Sequence, residues 1–390
     1  VDFRLDPFRS LLIMFGKLTA PTNKLIMKKL ISLFISLAFA GSSFAQMSGY
    51  SSSQSDGTTL GANETLTADG IALGNAVKLR GYVNTILHRQ DEGGAGNTSY
   101  DGTYVNGDVD LLIDLSPITS EVHLSAGDSS ANSVGLEQAF GRYSFNQDFH
   151  LTFGRQVTVL GFDSDEWTNR YAVTSSYSGD ADRNPGKSYV DGMRLNYNNG
   201  MFGLTLGLHD GYWLNDDFDG DNIAIDLAAS VMFFPGLEAR LGYAHQSLDK
   251  STQVDLTGSG FSIPLGTDGD IDQFNAWLAW NPGALTLATE FDDYGVDFGS
   301  HGKVDYWSWM LLANYQFTDW FAGTLRYTHE DVEVGAIDWD SDRITFALLF
   351  SLTENFGLNV EYSTTSVDTP AGVTTPGDYN EFLIEGLITY

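Results

Sequence analysis

The chain has 390 residues, a formal net charge of −31 and no cysteine. That charge makes nucleic acid an unfavourable partner, and the lack of cysteine removes disulfide frameworks, thiolate metal sites and lipoprotein acylation. No stretch beyond residue 45 approaches the roughly 18 apolar residues of a spanning helix, yet a mean hydropathy of −0.13 still allows a barrel whose lipid-facing and lumen-facing sides average out.

Residues 1–26 precede Met27 without a usable pattern and read as an upstream extension of the reading frame. Met27-Lys28-Lys29, the apolar run Leu30 to Ala40 and the small-residue ending Ser43-Phe44-Ala45 make 27–45 a secretory signal, with cleavage expected after Ala45. The run is too short for a comfortable span. Residues 1–45 hold six Lys+Arg and two Asp+Glu, so the remainder carries −35. From 46 to 75 the chain is rich in Ser, Gly and Thr, including Ser51-Ser52-Ser53-Gln54-Ser55, and reads as a flexible periplasmic lead-in; heptads of a coiled-coil stalk are absent.

From 76 to 390 one unit recurs: an alternating apolar/polar run, a tight turn, another run and a longer polar loop. Turn residues stand at Ser116-Pro117, Asn146-Gln147-Asp148, Asn198-Asn199-Gly200, Pro235-Gly236, Pro282-Gly283, Thr318-Asp319 and Thr353-Glu354-Asn355. Longer connections fall near 90–103, 128–133, 159–187, 210–220, 248–268, 294–303, 332–339 and 366–378. Seven turns and eight loops join about sixteen strands with both ends on the short-turn side. The expected fold is all-β, a transmembrane antiparallel β-barrel in the outer membrane, both termini periplasmic.

Parity separates the two faces. Leu204, Leu206 and Leu208 alternate with Gly203, Thr205, Gly207 and His209, while Ile344, Phe346, Leu348 and Phe350 alternate with Arg343, Thr345 and Ala347. Phe145, Phe149, Tyr197, Phe202, Phe233, Phe234, Trp280, Phe317, Trp320, Phe321, Phe350 and Phe356 gather at the short turns as an interfacial girdle. Arg155 conflicts with this pattern, because Phe149, Leu151 and Phe153 put it on the lipid face; a bulge or burial beneath a loop would resolve it.

The final strand, Phe382 to Tyr390, ends on an aromatic residue with Phe382, Ile384 and Ile388 in one parity. This ending resembles the C-terminal strand signal of bacterial outer-membrane proteins, with Tyr390 in place of the more usual Phe. Over residues 76–390 the layout is similar to the sixteen-stranded porins of Gram-negative bacteria, and Phe153-Gly154-Arg155-Gln156 through Asn169 to Tyr177 resembles porin families of that group. The resemblance implies passive diffusion of small hydrophilic solutes or ions, a homotrimer, outer-membrane lipid around the barrel and no cofactor. It also implies that the third external loop, 159–187, folds inward. That loop carries Asp163, Asp165, Glu166, Arg170, Asp180, Asp182, Arg183 and Lys187, facing the lumen-parity bases Lys78, Arg80, Arg142, Arg194, Arg240, Arg326 and Arg343. Asp108, Asp110, Asp114, Glu121, Asp226, Glu238, Glu290, Glu330 and Glu361 add negative charge to the wall, so a weak cation preference is expected. A closed structural or adhesive barrel is the alternative.

Two other constellations bear on function. Leu241 to Ser247 resembles the His-x-Ser stretch of outer-membrane phospholipase A, with His245 and Ser247 on the lipid-facing parity; Asn275, the candidate to orient the imidazole, has lumen parity. Asp217, Asp219 and Asp221 superficially follow a calcium-loop spacing but lack flanking helices, which leaves weak divalent binding as the most they support.

Overall fold

A computed structural model of the chain describes residues 60–66, 68–92, 99–127, 134–163, 167–180, 189–213, 223–248, 255–256, 261–262, 269–297, 302–335, 337–368 and 377–390. The signal and half of the lead-in expected from the sequence lie outside these residues.

Sixteen antiparallel strands close into one barrel. They are β1 (Val77–Glu92), β2 (Ser99–Leu115), β3 (Ile118–Gly127), β4 (Val134–Ser144), β5 (Phe149–Val157), β6 (Tyr189–Asn198), β7 (Phe202–His209) and β8 (Ala224–Phe234). The second half is β9 (Leu237–Leu248), β10 (Gly269–Trp280), β11 (Leu285–Asp297), β12 (Lys303–Thr318), β13 (Phe321–Val334), β14 (Ile337–Thr353), β15 (Phe356–Asp368) and β16 (Tyr379–Thr389). Each strand pairs with its neighbour in sequence, and β16 closes on β1 from Thr389↔Tyr82 to Tyr379↔Glu92. Tyr390 extends the seam by exchanging backbone hydrogen bonds with Gly81 at 2.9 and 3.0 Å, and its hydroxyl donates to the Asp108 carbonyl at 2.9 Å. Only glycine fits at 81, since a Cβ there would lie 2.2 Å from that carbonyl oxygen.

The seven short turns stand where the turn residues put them. Outward rows explain why the strands span. On β14 the outward side chains read Asp338, Asp340, Asp342, then Ile344, Phe346, Leu348, Phe350 and Leu352, so the apolar band begins between Asp342 and Ile344. At the short-turn end the aromatic residues stack on one another: Phe145 on Phe149 at 5.2 Å, Phe317 on Phe321 at 5.1 Å and Phe321 on Phe350 at 5.1 Å.

Three connections are shorter than the sequence suggests, the first because β1 runs to Glu92 and β2 starts at Ser99. The stretch 332–339 is nearly all strand, with β13 running to Val334 and β14 starting at Ile337; likewise β11 runs to Asp297 and β12 starts at Lys303. The polar letters that read as loop are the outward half of an alternation, while Val296, Val304, Val332 and Val334 point inward and are buried together with Tyr294, Tyr306, Tyr212 and Trp213.

Candidate functional site

The connection after β5 turns into the barrel. Its described parts, 158–163 and 167–180, lie against the inner wall and are gripped at three places. Glu290 on β11 accepts from the Phe162 N–H at 2.8 Å, the Ser178 hydroxyl at 2.8 Å and Asn275 Nδ2 at 2.9 Å. Glu361 on β15 accepts from the Thr174 N–H at 2.9 Å and its hydroxyl at 2.5 Å. Arg326 on β13, fully buried, meets Asp163 at 3.2 Å and donates to the Thr174 carbonyl at 2.8 Å and hydroxyl at 2.9 Å. Loop backbone thus meets charged acceptors and donors, the stronger kind of hydrogen bond.

Apolar contacts follow the same path. Phe162 stacks on Tyr171 at 6.2 Å and meets Trp277 edge-on at 5.4 Å, in a buried cluster with Met310 and Leu312. Ala172 packs on Ala322, Ala347 and Leu349, and Val173 on Ile86 and Leu383. These wall residues were missed by an argument that reserves the lumen for polar side chains. The signal was present on β12, where Trp309-Met310-Leu311-Leu312-Ala313 is apolar on both parities, as a strand covered on both faces should be.

Of the eight loop residues singled out from the sequence, Asp163, Arg170 and Asp180 are described; Asp165, Glu166, Asp182, Arg183 and Lys187 lie outside the described residues. Asp163 is buried, accepting from the Ser176 N–H at 2.5 Å as well as from Arg326. Arg170 lies 4.0 Å over the Trp167 ring and the Asp180 N–H donates to the Tyr177 carbonyl at 3.4 Å. All sixteen wall residues named from the sequence have the inward parity assigned to them. Arg80 pairs with Asp110 at 2.8 Å, Arg194 with Asp226 at 2.6 Å and Arg240 with Glu238 at 3.5 Å, while Arg343 lies 4.4 Å over the Tyr177 ring. The picture of loop and wall charges opposed across a gap therefore changes in detail. Arg326, Glu290 and Glu361 touch the loop itself, because an inward loop brings buried N–H groups that need acceptors.

A second segment enters the barrel where sequence reasoning saw only lead-in. Arg142 donates to Asn63 Oδ1 at 2.6 Å and to the Thr65 hydroxyl at 2.9 Å, and Asn63 Nδ2 reaches the Thr119 and Ser144 hydroxyls at 3.3 and 3.2 Å. Thr65 also donates to Glu121. Leu60 is buried beside Val159 and Leu160, and Lys78 donates to the Ala68 carbonyl at 2.6 Å. Gly203 makes room, for a Cβ there would lie 2.5 Å from the Leu60 carbonyl oxygen. A cavity of about 90 Å³ is lined by this segment, by Gln156 to Val159, and by Arg80, Glu121, Arg142 and Arg194.

Outside the barrel, Arg155 keeps its outward parity without a bulge and pairs with outward Asp191 at 3.0 Å. His245 Nδ1 lies 2.9 Å from Asp272 Oδ1 and Nε2 lies 3.3 Å from Ser247 Oγ, so the orienting group is Asp272 on β10 rather than Asn275. Asn275 instead faces inward, to Glu290 and Asp292. The same pattern recurs on β13 and β14: Tyr327 and His329 both bond Asp342, as Tyr243 and His245 both bond Asp272. Asp331 there takes the place of Ser247. Backbone N–H groups near Ser247 belong to the strand ladder, and Asp270, 3.2 Å from its Oγ, would oppose an oxyanion. The row forms a polar rim above an apolar band. Beyond the strands, burial raises the Asp210 carboxyl above its ordinary range, with nearby Asp191 adding to the shift. Asp217, Asp219 and Asp221 lie outside the described residues, and Asp226 faces inward to Arg194 and His209.

A closed antiparallel barrel of sixteen strands with an inward third connection has the fold of a Gram-negative porin-like outer-membrane barrel. Among solved structures, it is similar to the anion-selective porin from Comamonas acidovorans, at TM-score 0.59 and 15% identity over 81% of this chain and 99% of that one. The outer membrane channel DcaP of Acinetobacter baumannii aligns at TM-score 0.58 and 13% identity, over 80% of this chain and 97% of that chain. OmpT, an outer membrane protein of Vibrio cholerae, aligns at 0.57 and 15%, over 82% and 99%. No protein-family model matches the sequence, and no curated protein matches it.

Proposed function

We propose that the chain is an outer-membrane porin that passes small hydrophilic solutes or ions by passive diffusion and performs no catalysis. The observation that carries this reading is the third connection, held inside a closed barrel by Glu290, Glu361 and Arg326. Residues 159–187 form its constriction. The short-turn end and both termini are periplasmic, and outer-membrane lipid surrounds the barrel. A homotrimer is the expected assembly, the form named for one solved structure of OmpT from Vibrio cholerae. Inward carboxylates outnumber inward bases among the described residues, which supports a weak cation preference.

Planar-bilayer recording of the purified protein tests the reading. Stable single-channel steps, with reversal potentials in a salt gradient on the cation side, are expected. Anion selectivity would remove the charge argument. A silent bilayer would favour a closed structural or adhesive barrel, the reading that segment 60–66 and the inward loop support when they are taken as plugs.

A further inference from the structure

His123 lies at the centre of a buried polar row on the inner wall of β2, β3 and β4. Its Nε2 is 3.0 Å from Glu121 Oε2, and its Nδ1 is 3.2 Å from Asp110 Oδ1 and 3.1 Å from Gln138 Nε2. Register explains the grouping. Asp108 and Asp110 sit two residues apart on one face of β2, and Asp110 stands directly opposite His123 on β3. One ligand-type atom from each of the three lies within 4.8 Å of the other two.

Two features of this row point to a cation. Asp108 is 1% exposed, and both its carboxylate oxygens are buried without a hydrogen-bond partner among the described residues. A carboxylate so placed is costly unless a positive charge or a proton meets it. The second feature is independent: in the tautomer that donates Nε2–H to Glu121, Nδ1 is the acceptor left for Gln138 Nε2–H, on the side where Asp110 stands. A carboxylate behind an imidazole whose other nitrogen faces further carboxylates is the arrangement that orients histidine on a metal ion.

We propose that Asp108, Asp110 and His123 bind a divalent cation of the class that accepts mixed imidazole and carboxylate ligands, for which Zn²⁺ is the probe. Glu121 is the positioning residue for the imidazole. Arg80 holds the other oxygen of Asp110 at 2.8 Å, and Gln138 supplies the hydrogen bond to Nδ1 that the ion replaces. Because Glu121 also accepts from Thr65, the site is linked to the segment that enters the barrel.

Calorimetric titration of the chelator-treated, full-length folded protein with Zn²⁺ tests the site, in excess Mg²⁺ to occupy exposed carboxylates. Asp108→Asn and His123→Gln should each weaken binding about tenfold or more. His329→Gln should leave it unchanged, although His329, Asp340 and Asp342 form a comparable group on the outer face. Zinc-edge X-ray absorption of the wild type should show one nitrogen ligand among oxygens, a readout that does not depend on a variant folding. The proposal is overturned by an all-oxygen shell, by loss of binding in His329→Gln instead of His123→Gln, or by wild-type affinity in Asp108→Asn, the result of a merely protonated Asp108.

Discussion

Two segments enter this barrel, and the walls that receive them meet them with a different balance of charges. The wall of β11 to β15 meets the third connection with the carboxylates of Glu290 and Glu361, which take up its N–H groups and hydroxyls, and adds one cation, Arg326. The wall of β3 and β4 meets segment 60–66 chiefly with a cation, Arg142, on side-chain oxygens. The difference lies in what each segment brings: one buried backbone donors and a carboxylate, the other the side chains of Asn63 and Thr65, which accept from Arg142 and donate to Thr119, Ser144 and Glu121. Charges inside the barrel thus act first as anchors.

Arg326→Ala should break the first wall most severely. Asp163 would keep its burial and lose its cation, a change costing about 3–5 kcal/mol for a buried pair. Larger, noisier single-channel currents and a lower urea midpoint are expected; unchanged current would mean that the loop does not limit flow. Glu290→Gln comes next, at about 1.5–3 kcal/mol, because it turns the charged acceptor of three hydrogen bonds into a neutral one. Glu361→Gln should cost less. Its oxygen can take the Thr174 N–H while its amide turns to the Thr174 hydroxyl, which can accept.

Arg142→Ala addresses the other wall. It removes two charged-donor hydrogen bonds to segment 60–66 and, on the wall itself, the 3.8 Å ion pair with Glu121. Limited proteolysis should nick that segment about tenfold faster while heat-modifiable gel mobility stays that of the folded barrel. A barrel destabilised beyond the loss of the Glu121 pair would make the segment part of its core and narrow the contrast between the walls.

The sequence carried the barrel clearly because alternation reports the two faces and turn residues report the strand ends. Ile344, Phe346, Leu348 and Phe350 needed no tertiary information. The inward parity of Arg326, Glu290 and Glu361 was equally legible, but their partners were not, since Asp163, Phe162 and Thr174 come from a loop whose path alternation does not describe. Segment 60–66 was hidden for a related reason. Its grip depends on Asn63 and Thr65, polar residues of a Ser- and Thr-rich stretch that look the same whether solvated or docked.

The outer face gives the smallest effects and the sharpest check on function. Two strand pairs present the same Tyr-x-His row against an aspartate, yet only one has a serine next in line. A feature that recurs with Ser247 replaced by Asp331 belongs to what both places share, a polar rim over the apolar band. Ser247→Ala should therefore change stability by less than about 1 kcal/mol, the scale of partly exposed polar pairs. Phospholipid hydrolysis by the purified protein should be absent before and after the change. A hydrolysis signal that disappears in both Ser247→Ala and His245→Ala would turn the rim on β9 into a nucleophile with its base, and the two outer rows would then differ in kind.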